Sequence, residues 1–173
     1  PVPEALVDVL VGEGLTCLEV SLITPRALAT LREIRERFGD EVVLGGGGAV
    51  NADMARLALR MGADFVACHG FSGDMVDVCL QHQALPLLGV MTATEAIQAW
   101  HAGARLAKVF PAHLLGPDYL RELQRPLPWL GFVPTGGITA GNAAAFIEAG
   151  AVAVGVGRWL VSDDDLAAQD WQA

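Results

Sequence analysis

The sequence predicts an α/β chain folded as a (β/α)8 barrel of the TIM type, on three observations. Short apolar strands alternate with helical runs of about ten residues. The helical runs stop at glycine in four similar segments: Glu13-Gly14-Leu15-Thr16, Met61-Gly62-Ala63-Asp64, Ala102-Gly103-Ala104-Arg105 and Ala149-Gly150-Ala151. Those glycines, at 14, 62, 103 and 150, are 48, 41 and 47 residues apart, which is too long for one strand–helix unit and right for two. Glycine suits these places because it accepts the left-handed conformation that closes a helix, after which an apolar strand can begin.

In chain order the expected strands are Cys17 to Val20, Glu41 to Leu44, Phe65 to Cys68, Leu85 to Leu88, Leu106 to Val109, Gly131 to Val133 and Val152 to Gly155, with Pro1-Val2 as the stub of an eighth. Between them, Ala27, Leu28, Leu31, Ile34 and Phe38 recur at helical spacing in the run Pro25 to Phe38. Further helical runs span Asp74 to Gln83, Pro117 to Gln124 and Thr139 to Ala149. The first strand and the final helix, after Ser162, read as abbreviated. A doubly wound open sheet is the alternative, but it rarely needs seven or eight strands in 173 residues. The expectation is one domain over residues 1–173.

Composition narrows the function. With 53% hydrophobic and 18% charged residues the chain can bury one substantial core and is not disordered. Eleven basic side chains against 20 acidic ones give a formal net charge of −9, which disfavours a nucleic-acid partner. No apolar stretch approaches the ~20 residues of a membrane span, and Pro1-Val2-Pro3-Glu4 lacks the features of a signal peptide. The three cysteines show no metal-like spacing and fit reduced thiols in a cytoplasmic protein.

Chemistry collects at few places. Lys108 is the sole lysine among ten arginines and stands inside the apolar strand Leu106-Ala107-Lys108-Val109-Phe110. Burial disfavours an ammonium ion, so a lysine at a barrel mouth can be neutral and nucleophilic; one reaching into solvent would not be. The two are evenly balanced on position alone. In Thr16-Cys17-Leu18-Glu19-Val20-Ser21-Leu22 the two-residue alternation puts Glu19 with Cys17 and Ser21, pointing into the barrel, while Leu18, Val20 and Leu22 face helices. A carboxylate there is either a structural ion pair, with Lys108 or an arginine, or a proton shuttle beside an amine nucleophile.

Two glycine-rich turns, Pro134-Thr135-Gly136-Gly137-Ile138 and Gly155-Val156-Gly157-Arg158, close the last two strands. Backbone N–H groups in such turns form an anion site, which favours phosphate there, with Arg158 adding positive charge. Gly45-Gly46-Gly47-Gly48 either lets a ligand approach the backbone or marks a flexible turn. The four histidines have no metal-like spacing: His82 and His101 fall on helices, His69 and His113 on loops. The tryptophans suit core or interface.

Together these residues resemble the KDPG/KHG aldolases, class I enzymes that split 2-keto-3-deoxy-6-phosphogluconate or 4-hydroxy-2-oxoglutarate. The resemblance rests on Leu18-Glu19-Val20-Ser21-Leu22, Gly89-Val90-Met91-Thr92, Lys108-Val109-Phe110-Pro111-Ala112, Pro134-Thr135-Gly136-Gly137-Ile138 and Val156-Gly157-Arg158-Trp159-Leu160-Val161. It implies a Schiff base on Lys108, proton transfer by Glu19, and substrate or phosphate binding by Thr135, Gly136, Gly137, Gly157, Arg158, Phe110 and Gly48. It further implies a cytoplasmic homotrimer acting on a small 2-keto acid, with no metal and no cofactor. Leu115-Gly116-Pro117-Asp118-Tyr119 looks closer to the galactonate-type and dual-specificity members. The chain departs from the family pattern at five places, one of them the loss of a proline before Gly89. Ile23 replaces the arginine that holds the pyruvyl carboxylate, and Gly48 a threonine. His69 stands for a proline, and Arg158 for the phosphate-loop serine. The alternatives are a 4-hydroxy-2-oxoglutarate aldolase, or a phosphate-binding barrel or isomerase with impaired lyase chemistry.

Overall fold

The computed structural model describes residues 4–161. Along the chain run α1 (Glu4–Gly12), β1 (Cys17–Ser21), α2 (Ala27–Phe38), a 3-10 turn (Gly39–Glu41), β2 (Val43–Gly47), α3 (Ala52–Arg60), β3 (Phe65–Ala67) and α4 (Gly73–Gln81). They continue as β4 (Leu85–Val90), α5 (Ala93–His101), β5 (Leu106–Val109), α6 (Ala112–Gln124), β6 (Gly131–Pro134) and α7 (Ala140–Glu148). The strands pair in parallel in the order β1-β2-β3-β4-β5-β6. The chain forms two compact units, residues 1–68 with 72–87 and residues 69–71 with 88–173.

All four predicted glycines are left-handed, with φ of 85° at Gly14, 96° at Gly62, 108° at Gly103 and 105° at Gly150. The residue after each donates back to the last turn: Leu15 to Leu10, Ala63 to Ala58, Ala104 to Ala99 and Ala151 to Phe146. These bonds satisfy helix carbonyls that would otherwise be orphaned, and the chain leaves each helix directly into an apolar segment. Helix α4 ends the same way through Gln83, at φ 57°, with Ala84 donating to Cys79; no glycine marks that stop in the sequence.

Three expectations are corrected. The expected strand Val152 to Gly155 is a single bridge between Thr135 and Gly155. Among the described residues it follows β6 through Val152 N–H to Phe132 and Gly155 N–H to Pro134, and Val152 is 58% exposed. Strand β2 starts later than expected and absorbs Gly45, Gly46 and Gly47, because Gly39–Glu41 is a 3-10 turn. Element α6 is two helical pieces on either side of Gly116 (φ 79°, ψ 168°): the run expected from Pro117 is the second, and His113, expected on a loop, lies in the short first piece that begins at Ala112. The stub Pro1-Val2 and the helix after Ser162 lie outside the described residues.

Each unit has its own core. In the first, Leu31, Leu44, Val66, Met75 and Val76 are fully buried; in the second, Leu88, Leu120, Phe132 and Phe146. Strands buried on the helix side read as near-continuous apolar runs, as expected of parallel sheets. In the second unit Trp100 and Trp129 stack obliquely with ring centres 6.2 Å apart, and Arg105 lies 4.3 Å over Trp100. No helix among the described residues is long and apolar enough to cross a membrane.

The amino ends of β2 and β3 are joined by Arg35. From α2 its guanidinium donates to the carbonyls of Gly62, Gly39 and Val42 and to the Asp64 carboxylate, which also accepts the Leu44 N–H at 2.8 Å. Arg35→Met should therefore destabilise the protein by about 1.5–3 kcal/mol, because hydrogen bonds from a charged donor are lost together. A urea denaturation curve reads this as a lower midpoint with the slope unchanged.

Candidate active site

In the first unit the site begins with strand alternation. Val20 is buried, while Cys17, Glu19 and Ser21 occupy the opposite face of β1. In register, Glu19 lies opposite Gly45 and Ser21 opposite Gly47. A Cβ built on Gly47 would stand 2.1 Å from Glu19 Oε1 and 2.6 Å from its Cδ; one on Gly45 would stand 2.0 Å from Phe65 Cζ. The carboxylate of Glu19 and the ring of Phe65 thus lie across strand positions that carry no side chain. Gly46 is required on the other face, where a Cβ would stand 2.7 Å from that of Ala58 on α3. The glycine run is therefore a crowding requirement rather than a flexible turn. Only Gly48 is left-handed, at φ 73°, and it is buried where the chain leaves β2.

Glu19 is exposed, and its strand neighbour β2 carries no side chain on that face at Gly45 and Gly47. Ile23, just beyond β1, is 82% exposed. The Cys17 thiol is pushed up from its ordinary range, first by burial of its sulfur and then by the negative charges of Glu19 and Asp64. Removing the Glu19 charge should lower that value and raise the thiolate fraction near neutrality. Glu19→Gln should thus speed iodoacetamide labelling of Cys17 about 2- to 5-fold, a modest change because the charge is the lesser cause. Burial and Cys68 push the Cys79 thiol up to about 11, so Cys79 should stay unlabelled in the folded protein.

In the second unit Lys108 is 2% exposed, between Ala107 and Val109, which are also buried. It lies opposite Val133 in register. Of the two orientations open in the sequence, the lysine directed into bulk water is thereby excluded. Two residues on, Phe110 leaves the strand by donating its N–H to Val90, and its ring meets His69 edge-on at 4.5 Å. The same ring covers Gly136: a Cβ there would stand 2.9 Å from Phe110 Cε2. The Phe110–Pro111 peptide is cis.

The turn after β6 has three successive carbonyls held. Thr135 C=O accepts from the Ala112 N–H at 2.8 Å and Gly136 C=O from the His113 N–H at 3.1 Å; Gly137 C=O accepts from Asn142 Nδ2 at 2.9 Å. Across a trans peptide the N–H points opposite to the C=O, so the N–H groups of Gly136, Gly137 and Ile138 face the other way. Gly136 and Gly137 are left-handed, at φ 91° and 71°. Consecutive outward N–H groups on such a backbone form a nest for an anion, backed by the amino end of α7.

Thr135 ties this turn to the next segment: it bridges Gly155, and a Cβ on Gly155 would stand 2.4 Å from its Oγ1. Gly157 accepts from the Leu160 and Val161 N–H groups, and Arg158 is exposed on that turn. Thr135, Gly136, Gly137 and Phe110 are thus gathered in one place, with the Gly157-Arg158 turn following two residues after Gly155. Sequence reasoning did not single out His113 and Asn142 as parts of the nest. A signal existed for Asn142, which follows Thr139 by three residues and accepts its N–H at 2.8 Å, a helix-start pattern.

The chain matches the profile of the KDPG and KHG aldolases over residues 3–173. It is 35% identical over 167 residues to the 2-dehydro-3-deoxy-phosphogluconate aldolase of Treponema pallidum, covering 96% of this chain and 79% of that protein. It is 28% identical over 157 residues to the 2-dehydro-3-deoxy-6-phosphogalactonate aldolase of Escherichia coli K12, covering 90% of this chain and 77% of that one. Among solved structures, KDPG aldolase from Legionella pneumophila with pyruvate captured as a covalent carbinolamine superposes with a TM-score of 0.86 at 26% identity, over 96% of this chain and 81% of that one. The sole lysine buried on β5, the glycine-backed carboxylate on β1 and the nest after β6 are therefore carried by a chain that belongs to the KDPG and KHG aldolase family.

Proposed function

We propose that the protein is a class I Schiff-base aldolase, a carbon–carbon lyase that cleaves 2-keto-3-deoxy-6-phosphogluconate or a close relative to pyruvate and glyceraldehyde 3-phosphate. The observation that carries this reading is Lys108: the only lysine of the chain, 2% exposed on β5. Family membership and the covalent carbinolamine of the Legionella pneumophila relative support it.

The amine of Lys108, as free base, attacks C2 of the keto acid and forms a carbinolamine. Loss of water, with protons relayed by Glu19, leaves an iminium ion. Glu19 then takes the proton of the C4 hydroxyl, the C3–C4 bond breaks, and its electron pair moves into the iminium to give an enamine. The aldehyde leaves; protonation of the enamine at C3 and addition of water release pyruvate and restore the amine. The iminium is the electron sink, so the scheme calls for no metal or cofactor.

Phosphate at the Gly136–Ile138 nest, helped by Thr135 and the Gly157-Arg158 turn, would fix the substrate's register. Phe110 and Gly48 are read, from the family resemblance, as further substrate-binding residues. We also read the chain as one (β/α)8 barrel domain over residues 1–173, supported by the parallel strand order and the Thr135–Gly155 bridge. A cytoplasmic homotrimer is inferred from the family resemblance.

A second reading, a phosphate-binding protein with weak lyase activity, is favoured by Ile23, which at 82% exposure offers no charge to a pyruvyl carboxylate. Release of pyruvate from the phosphorylated and unphosphorylated keto acids, compared as kcat/KM, decides the matter. The aldolase reading expects turnover with preference for the phosphate ester. Phosphate binding without pyruvate release would overturn it.

A further inference from the structure

We propose that His113 is a positioning residue for phosphate recognition: it latches the Gly136 carbonyl and thereby aims the Gly137 N–H at the phosphate ester. The inference rests on the reading of the Gly136–Ile138 turn as the phosphate site and adds a residue to it.

His113 stands in the first turn of α6 and grips the turn in two ways. Its backbone N–H donates to Gly136 C=O at 3.1 Å, and its ring Nδ1 lies 3.3 Å from the same oxygen. A carbonyl oxygen only accepts, so the ring must carry its proton on Nδ1 to make this bond. The ring also lies against Gly137: a Cβ there would stand 2.5 Å from His113 Cβ, 2.6 Å from Cγ and 2.7 Å from Nδ1. The peptide between Gly136 and Gly137 is thus held from one side by two donors and a ring face. Glycine peptides flip easily because both signs of φ are open to them. An unlatched Gly136–Gly137 peptide could turn its carbonyl, a negative dipole end, toward the phosphate in place of the N–H. The neighbouring carbonyls have their own holders, Ala112 and Asn142, and the middle one depends on His113.

Three versions of the full chain test this: wild type, His113→Ala, which removes the ring donor, and His113→Asn, whose amide can occupy the place of Nδ1. Inorganic phosphate serves as the probe, measured as a competitive inhibitor of cleavage of the phosphorylated keto acid. The pyruvate–borohydride adduct on Lys108 supplies a phosphate-free readout.

His113→Ala should weaken inhibition by phosphate and raise KM for the phosphate ester about 3- to 10-fold, the effect of one hydrogen bond, with kcat little changed. Adduct formation with pyruvate should keep its rate, and His113→Asn should recover most of the loss. The inference is overturned if His113→Ala leaves phosphate inhibition intact, slows the pyruvate adduct by the same factor, or is not rescued by His113→Asn. A different outcome, a wild type neither inhibited by phosphate nor selective for the phosphate ester, would overturn the phosphate reading itself.

Discussion

Lys108→Ala should abolish the borohydride-trapped pyruvate adduct and reduce kcat/KM on the order of 10⁵- to 10⁶-fold, the scale seen when a covalent nucleophile is removed. The effect is this large because no other amine side chain can substitute: the chain has one lysine and ten arginines, and a guanidinium stays protonated and does not form imines under these conditions. Intact-mass analysis after pyruvate and borohydride reads one adduct per wild-type chain and none in the variant. A persistent adduct in Lys108→Ala would move the Schiff base to the chain's terminal amine and end the assignment. Stability is a separate measurement here. Lys108 is buried, so its replacement by a small apolar residue leaves a cavity, and folding of the variant must be verified by circular dichroism.

Glu19→Gln should lower kcat for cleavage about 10²- to 10⁴-fold, the usual contribution of a positioned general acid–base. The adduct with pyruvate should still form, more slowly, because carbinolamine dehydration loses its proton relay while the nucleophile survives. That split separates the two roles: Lys108→Ala removes the intermediate, and Glu19→Gln delays its formation and its onward reaction. Gly47→Ala is the companion variant. Its methyl would stand where the Glu19 carboxylate lies, so it should reproduce part of the loss with Glu19 still present. Unaltered turnover in both variants would remove Glu19 from the mechanism.

The four glycine stops were legible in the sequence because a left-handed helix end makes a local demand that glycine meets at least cost. Gln83, which closes α4 in the same conformation, carries no such mark and was missed. The identity of Lys108 was equally plain, since a lone lysine within an apolar strand is conspicuous wherever the chain folds. Its burial was not legible: position in a strand does not say which end of a flexible four-carbon stem finds water. The demand on the glycines of β2 was not legible for a related reason. What requires them is contact with Glu19, Phe65 and Ala58, partners far away in the sequence that only the pairing of strands brings near. Strand Val152 to Gly155 was overcalled because its apolar run satisfies every local criterion, whereas a strand is defined by its neighbours. His113 escaped as a helical residue because the piece that carries it, residues 112–115, is a single turn too short to leave a periodic signal before the break at Gly116.

The Arg35 hub has a consequence for how this protein can change. Arg35 gathers Gly39, Val42, Gly62 and Asp64, all just ahead of strands, whereas Gly47, Phe110 and the Gly136–Ile138 turn come where strands finish. In the first unit the Arg35 cluster thus ties the starting ends of β2 and β3, and Gly47 meets the Glu19 side chain at the finishing end of β2. Directed evolution toward a new aldehyde acceptor can vary the loops that follow the strands while Arg35 keeps its hold on the first unit, and thermostabilising substitutions placed around Arg35 should be neutral for turnover.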